Sequence, residues 1–157
     1  MQQNRILAID FGQRRIGVAI SDALQLTAQG LQTIVYSTNN ELFEKLGDIF
    51  KQYQIQKVVV GLPRRLNGSD SQRTREVRRF ARKLADYFKV ELELWDERLT
   101  SVAAERSMLQ LGKSPSRAKS RVDQIAAIFI LQGYLDFLRN SKRNYTSSDK
   151  KGDVTKT

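Results

Sequence analysis

The chain contains no cysteine and no histidine. Without cysteine there is no disulfide framework, no thiol nucleophile and no cysteine-ligated zinc site. Without histidine the commonest general base and the commonest transition-metal ligand are both missing. Any chemistry must therefore come from carboxylates, hydroxyls, amines, or a hard metal bound through oxygen. Long apolar runs are lacking as well: none approaches the roughly 18 residues of a membrane span. The N-terminal apolar stretch is only a strand long and carries no signal-peptide pattern. A cytoplasmic protein without a membrane partner is the resulting expectation. A length of 157 residues suits one domain with a real core and leaves no comfortable room for a second.

What the chain has in excess is positive charge. It carries 27 Lys and Arg against 17 Asp and Glu, a net charge of +10. Such an excess favours a polyanionic partner, with nucleic acid the first candidate. The charge is concentrated. Arg64 to Lys89 holds nine basic residues against three acidic ones, and Arg139 to Thr157 holds six against two. The plainer reading of both is a solvated helix face and a solubilising tail.

Periodicity predicts an α/β domain. Gln3 to Ile9 reads as a strand buried on both faces, Gly12 to Arg15 as a tight turn, and Ile16 to Ile20 as the hairpin partner. A third strand is expected over Leu31 to Tyr36, after a turn at Thr27-Ala28-Gln29-Gly30. Asn40 to Tyr53 has helical spacing, and the run Lys57-Val58-Val59-Val60 suits a central parallel strand ending at Gly61-Leu62-Pro63. A loop with Asn67-Gly68 follows. Ser69 with Gln72 in the reciprocal position is expected to cap a helix running to about Phe88. Val77, Phe80, Ala81, Leu84, Ala85 and Phe88 form its buried stripe, and Arg75, Arg78, Arg79 and Arg82 lie on another face. Val90 to Trp95 is a further strand. Thr100 or Ser101 is expected to cap a helix to about Leu111, and Ser114-Pro115 to open a last helix to about Leu138. Two regions follow: a domain over residues 1–138 and a disordered basic tail over 139–157.

Three acidic positions stand out. Asp10 ends the first strand in Ile9-Asp10-Phe11-Gly12. Asp96 and Glu97 end the last strand, and Asp123 enters a helix that is apolar almost all round. A carboxylate at the end of a buried strand costs solvation energy unless compensated, and several converging carboxylates repel one another unless cations hold them. Mg²⁺ or Mn²⁺ with oxygen ligands meets that need. Two such ions roughly 3.5–4 Å apart activate water and steady the leaving oxygen in phosphodiester hydrolysis, chemistry that requires neither histidine nor cysteine. Each position also has a purely structural reading. Asp10 suits a turn cap, Asp96 and Glu97 suit a surface network with Arg98 or Arg106, and Asp123 suits the first turn of a helix.

The first hairpin has a weak likeness to the phosphate-binding hairpin of actin-like ATPases, but those enzymes need a second comparable domain. Far more specific is a set of four separated motifs in order from about Ile6 to Leu138. These are Asp10-Phe11-Gly12 with Arg15-Ile16-Gly17-Val18-Ala19; Gly61-Leu62-Pro63 with Asn67-Gly68-Ser69; Asp96-Glu97-Arg98-Leu99-Thr100-Ser101; and Val122-Asp123-Gln124-Ile125-Ala126-Ala127 with Leu131-Gln132-Gly133-Tyr134-Leu135. Together they resemble the YqgF (RuvX) family of bacterial proteins, described as Holliday junction resolvases and as pre-16S rRNA nucleases. The resemblance implies an RNase H-like fold: a five-stranded mixed sheet, antiparallel through its first three strands and then parallel, flanked by helices. It implies a divalent-metal nuclease whose acidic residues fall on Asp10, on Asp96 or Glu97, and on Asp123. Asp10, Glu97 and Asp123 are the expected ligands of Mg²⁺ or Mn²⁺, with Asp10 bridging two ions and Asp96 kept as a catalytic candidate. Ala103 stands where the family often has an acid.

Substrate contacts are expected from Arg64, Arg65, Asn67, Ser69 and Arg73 in and beside the loop. Arg75, Arg78 and Arg82 on the basic helix, and Arg117, Lys119 and Arg121 ahead of Asp123, extend the set. Phosphate contacts of this kind give affinity without sequence reading and steepen salt dependence. Trp95 is expected in the core rather than under a base. The family points to processing of the 5′ end of precursor 16S rRNA, with the ribosome or its assembly intermediates as partners. A branched-DNA substrate and a non-catalytic ribosome-assembly role are the alternatives. Symmetric resolution of a junction needs a homodimer, whereas a ribonuclease works as a monomer.

Overall fold

The computed structural model describes residues 4–99 and 115–151, with side chains over 4–99 and 121–145. The helix expected from Thr100 to Leu111 lies outside the described residues. The elements in chain order are β1 (Arg5–Phe11), β2 (Arg15–Ser21), β3 (Ala28–Gly30), β4 (Ile34–Val35), α1 (Asn39–Gln52), β5 (Ile55–Leu62), α2 (Gln72–Phe88), β6 (Glu91–Asp96), a 3₁₀ turn (Glu97–Leu99) and α3 (Pro115–Lys151). The strands form one mixed sheet in the order β3-β2-β1-β5-β6, with β4 also pairing β2. β1 is antiparallel to β2 and parallel to β5, which is parallel to β6. This is the mixed-sheet arrangement expected, with one difference. The third strand is split into β3 and β4, so the sheet counts six strands. Its register is held from outside: Gln132 of α3 accepts from the Ala28 N–H at 3.1 Å, and Gln124 donates to the Leu31 carbonyl at 3.0 Å. Those long-range contacts draw Ala28–Gly30 into the sheet where local signals indicate a turn.

Strand alternation gives the sheet two apolar faces. Leu7, Ile9, Val18, Val58 and Val60 pack under Leu42 and Leu46 of α1 and Val77, Ala81 and Leu84 of α2. Ile6, Ala8, Ala19 and Val59 pack under Ala127, Ile130, Leu131, Tyr134 and Leu135 of α3. Each fully buried aliphatic side chain here is worth about 1.5–3 kcal/mol relative to exposure. Trp95 joins the α3 layer, edge-on to Tyr134 and Phe137, as expected of a core residue.

The cap of α2 differs from expectation. Ser71 is the N-cap, and Thr74 supplies the reciprocal side chain of the capping box. Ser69 is engaged elsewhere, its N–H and hydroxyl both donating to the Asn67 side-chain oxygen at 3.0 and 2.7 Å. An Asx turn has thus taken the hydroxyl that the spacing assigned to the helix. α3 also outruns expectation, continuing past Leu138 to Lys151, so the backbone of 139–151 is helical rather than a structureless tail. No proline or glycine interrupts the chain between Gly133 and Gly152, so nothing stops the helix where its apolar stripe ends. Among the described residues no helix is long and apolar enough to cross a membrane.

Candidate active site at the carboxyl edge of the sheet

Asp10 is the second-last residue of β1 and shares the α3 face with Ile6 and Ala8. Its antiparallel partner in β2 is Gly17. A Cβ on Gly17 would lie 1.9 Å from the Asp123 carbonyl oxygen. The bare glycine therefore lets the backbone of α3 at Asp123 rest directly on the strand pair that carries Asp10. Glu97 reaches the same place from β6. Trp95 pairs with Gly61 of β5, and the 3₁₀ turn folds Glu97 back over that glycine. A Cβ on Gly61 would be 2.8 Å from Glu97 Oε1 and 2.6 Å from Ile130 Cδ1. Two glycines, one on each of the strands that flank β1, thus clear the space into which the sheet edge and α3 deliver acidic side chains.

The outcome is a carboxyl–carboxyl contact. The Asp10 carboxyl is pushed up to about 8, first by burial, next by the charge of Glu97 and a hydrogen bond to it, with the Arg73 guanidinium pulling the other way. Two acids this close do not both ionise readily, so the pair keeps a proton near neutral pH. Asp123 directs its carboxylate toward Arg15, with Oδ2 3.9 Å from Nε. Among the described residues no three acidic side chains are gathered closely enough to hold a metal ion. The pair itself has the right donor chemistry for one: oxygen ligands only, with like charges that a divalent cation would reconcile.

Asp96 is not brought to this pair. It follows Trp95 by one residue, and alternation turns it toward the opposite side of the strand. Its carboxylate accepts from Arg98 Nε at 3.0 Å and Nη2 at 2.6 Å, and from the Arg98 N–H at 3.0 Å. Those bonds, helped by the charge of Arg64, hold it below the ordinary carboxylate range. Arg98 in turn donates to the Leu66 carbonyl at 3.2 Å. Asp96 therefore braces the loop after β5, as the structural reading with Arg98 anticipated.

The basic residues divide into groups. Arg73 bonds the Phe11 carbonyl through Nη2 and lies 5.1 Å from the Phe11 ring, close enough to act on Asp10. Arg64 and Arg78 both face Asp70, with nearest approaches of 3.9 and 3.2 Å, so they hold the loop in shape. Arg65, Arg75, Arg82 and Arg121 are exposed, as are Asn67 and Ser69 in their turn. Arg117 and Lys119 lie on the first turns of α3, where side chains are outside those described. Sequence reasoning missed Arg15 as the partner of Asp123. It also passed over Gly17 and Gly61, whose signal was present: each is a glycine inside an otherwise apolar strand, a mark of close approach by another element.

The chain is similar to known proteins along most of its length. The family model described as "RuvX: Holliday junction resolvase" matches residues 4–137. A protein of Agathobacter rectalis named "Putative pre-16S rRNA nuclease" is 43% identical over 141 residues, covering 88% of this chain and 99% of its own length. A protein of the same name from Staphylococcus aureus is 45% identical over 141 residues, with coverage of 88% and 99%. A solved structure of T. thermophilus RuvC in complex with Holliday junction substrate has a TM-score of 0.46 at 15% identity, covering 81% of this chain and 91% of that one.

Proposed function

The chain belongs to the RuvX family, and from that premise we propose a divalent-metal-dependent endonuclease that hydrolyses phosphodiester bonds in structured nucleic acid. The 5′ end of precursor 16S rRNA is its main substrate. The observation that carries this reading is the contact between Asp10 and Glu97 at the carboxyl edge of the sheet. Two acids pressed together under a helix are unfavourable by themselves, and their arrangement makes sense as a pair that releases its shared proton when a divalent cation arrives. Mg²⁺ or Mn²⁺ bound there would supply Lewis-acid charge for phosphodiester hydrolysis at neutral pH.

The chain's own residues do the rest. Asp10 and Glu97 would hold the cation, and Asp123, which faces Arg15, would be the third carboxylate available from α3. Arg73 tempers the basicity of Asp10 from the other side of the strand. Arg65, Arg75, Arg82, Arg117, Lys119 and Arg121 attract phosphates around this edge, with Asn67 and Ser69 as donors. The names of the relatives favour RNA over a DNA junction.

The test uses purified protein with Mg²⁺ or Mn²⁺ and two substrates: an RNA spanning the precursor 16S 5′ end and a four-way DNA junction. Cleavage of the RNA at a defined position, with the junction cut at least tenfold more slowly, is the expected result. Preferential symmetric cutting of the junction would reverse the substrate assignment. Binding of both with cleavage of neither would leave a scaffold rather than an enzyme.

A further inference from the structure

On the other face of the sheet, directly behind the acidic pair, lies a cleft of about 430 Å³ between the β1–β2 turn, the start of α1 and one side of α2. That size falls within the range of small-molecule sites. Its wall is aromatic: Phe11 stacks on Phe80 at 4.1 Å between ring centres, and Phe43 meets Phe80 edge-on at 6.2 Å. Its rim is cationic: Arg73, Arg79 and Lys83 line it, with Glu76 the only acid among the lining residues. Arg79 and Lys83 have no carboxylate within 4.0 Å among the described residues. Lys83 instead sits 5.6 Å from the centre of the Phe43 ring. Arg73 Nη1 is buried without a hydrogen bond, its nearest carboxylate oxygen 3.6 Å away on Glu76. Buried donors are rarely left unmade, and this one belongs to a residue that lines the cleft.

Aromatic walls beside unpaired cations suit one chemistry above others, a flat base carrying a phosphate. The cleft is coupled to the acidic edge by covalent adjacency, since Phe11 follows Asp10, and by Arg73, which touches the Phe11 carbonyl and acts electrostatically on Asp10. We propose that this cleft is a nucleotide subsite, taking one unstacked nucleotide of the single strand that leaves the acidic edge. Arg79 and Lys83 grip the phosphate, and Arg73 links the subsite to the acidic pair. The proposal rests on the nuclease reading for the direction of the strand, but not for the binding itself. It also separates two faces of α2. The Arg73–Arg79–Lys83 side reads a nucleotide beside aromatic rings, and the Arg75–Arg82 side offers diffuse attraction only.

The experiment measures binding of an eight-residue oligoadenylate carrying one 2-aminopurine, in EDTA so that no cleavage occurs, with wild type and Arg79→Glu/Lys83→Glu. Lys51→Glu/Lys89→Glu, at the far ends of α1 and α2, is the charge-matched control, and Arg79→Gln/Lys83→Gln serves if charge reversal impairs folding. The expected result is at least a tenfold loss of affinity in the cleft variants beyond the control. Loss of 2-aminopurine quenching should accompany it, with a salt slope shallower by about 0.7, the single-strand value for one phosphate contact. A loss equal to that of the control, or unchanged quenching, overturns the proposal. Free AMP that displaces the oligomer at equal concentration also overturns it, assigning the cleft to a free nucleotide. If the cleft variants lose binding while wild type cleaves nothing in Mg²⁺, the subsite stands and the nuclease reading falls.

Discussion

The pH dependence of stability gives the sharpest physical consequence of the acidic pair. The Asp10 carboxyl lies at about 8 in the folded chain against 3.8 for an unperturbed aspartate. Between those values the folded protein holds a proton that the unfolded chain has released. Stability is therefore fully present below about pH 4 and is lost as pH rises toward 8, by up to ~1.4 kcal/mol per pH unit. The whole interval corresponds to at most about 6 kcal/mol. Sharing of the proton with Glu97 spreads the titration, so a loss of about 2–3 kcal/mol between pH 5 and 8 is the expected scale. Asp10→Asn removes the ionisation and keeps the shape. Urea unfolding from pH 5 to 9 in EDTA should show the variant gaining on wild type steadily as pH rises, and exceeding it above pH 8. Replacing EDTA with Mn²⁺ at 100 times its dissociation constant should return about 2.7 kcal/mol to wild type, most of it at high pH. Parallel curves for the two proteins across this range would refute the claim that Asp10 and Glu97 share a proton.

Other perturbations address the supporting frame. Gly17→Ala drives a methyl group into the Asp123 backbone. Overpacking of this kind costs about 1–3 kcal/mol, or a fall in Tm of about 4–10 °C for a chain this size, and cleavage should drop roughly 100-fold as α3 shifts; an unchanged melting curve and rate would remove the close-contact argument. Ser71→Ala should cost about 1 kcal/mol in urea unfolding by breaking the capping box of α2, and no loss would point to another cap. Glu97→Gln should reduce turnover by more than the roughly 10–100-fold typical of outer-shell changes, whereas Asp96→Asn should stay within that range. Equal losses would return Asp96 to the catalytic set.

Much of this arrangement is legible in the sequence because the signals are local. The Val58–Val60 run, the apolar stripe of α2 and the hairpin around Gly12 each announce their element in a few residues, and Asp10, Glu97 and Asp123 are conspicuous for being acids at strand and helix ends. What escapes is set by distant partners. The split of the third strand depends on Gln124 and Gln132, about a hundred residues away along the chain. The choice of Ser71 over Ser69 turns on which hydroxyl Asn67 captures. Glu97 and Asp96 are adjacent acids whose fates diverge only once the 3₁₀ turn and Arg98 are in place. The pairing of Asp123 with Arg15 is likewise a product of α3 resting on Gly17, which no spacing along the chain encodes.

The central claim is that Asp10 and Glu97 form the cation-dependent centre of a nuclease. The direct measurement is single-turnover cleavage of the precursor 16S 5′-end RNA as a function of Mn²⁺, by wild type and by Asp10→Asn at equal RNA occupancy. Saturable, Mn²⁺-dependent cleavage by wild type, with none by the variant although it binds the RNA as tightly, is the predicted result. Cleavage by Asp10→Asn at the wild-type rate, or by wild type in EDTA, would contradict it.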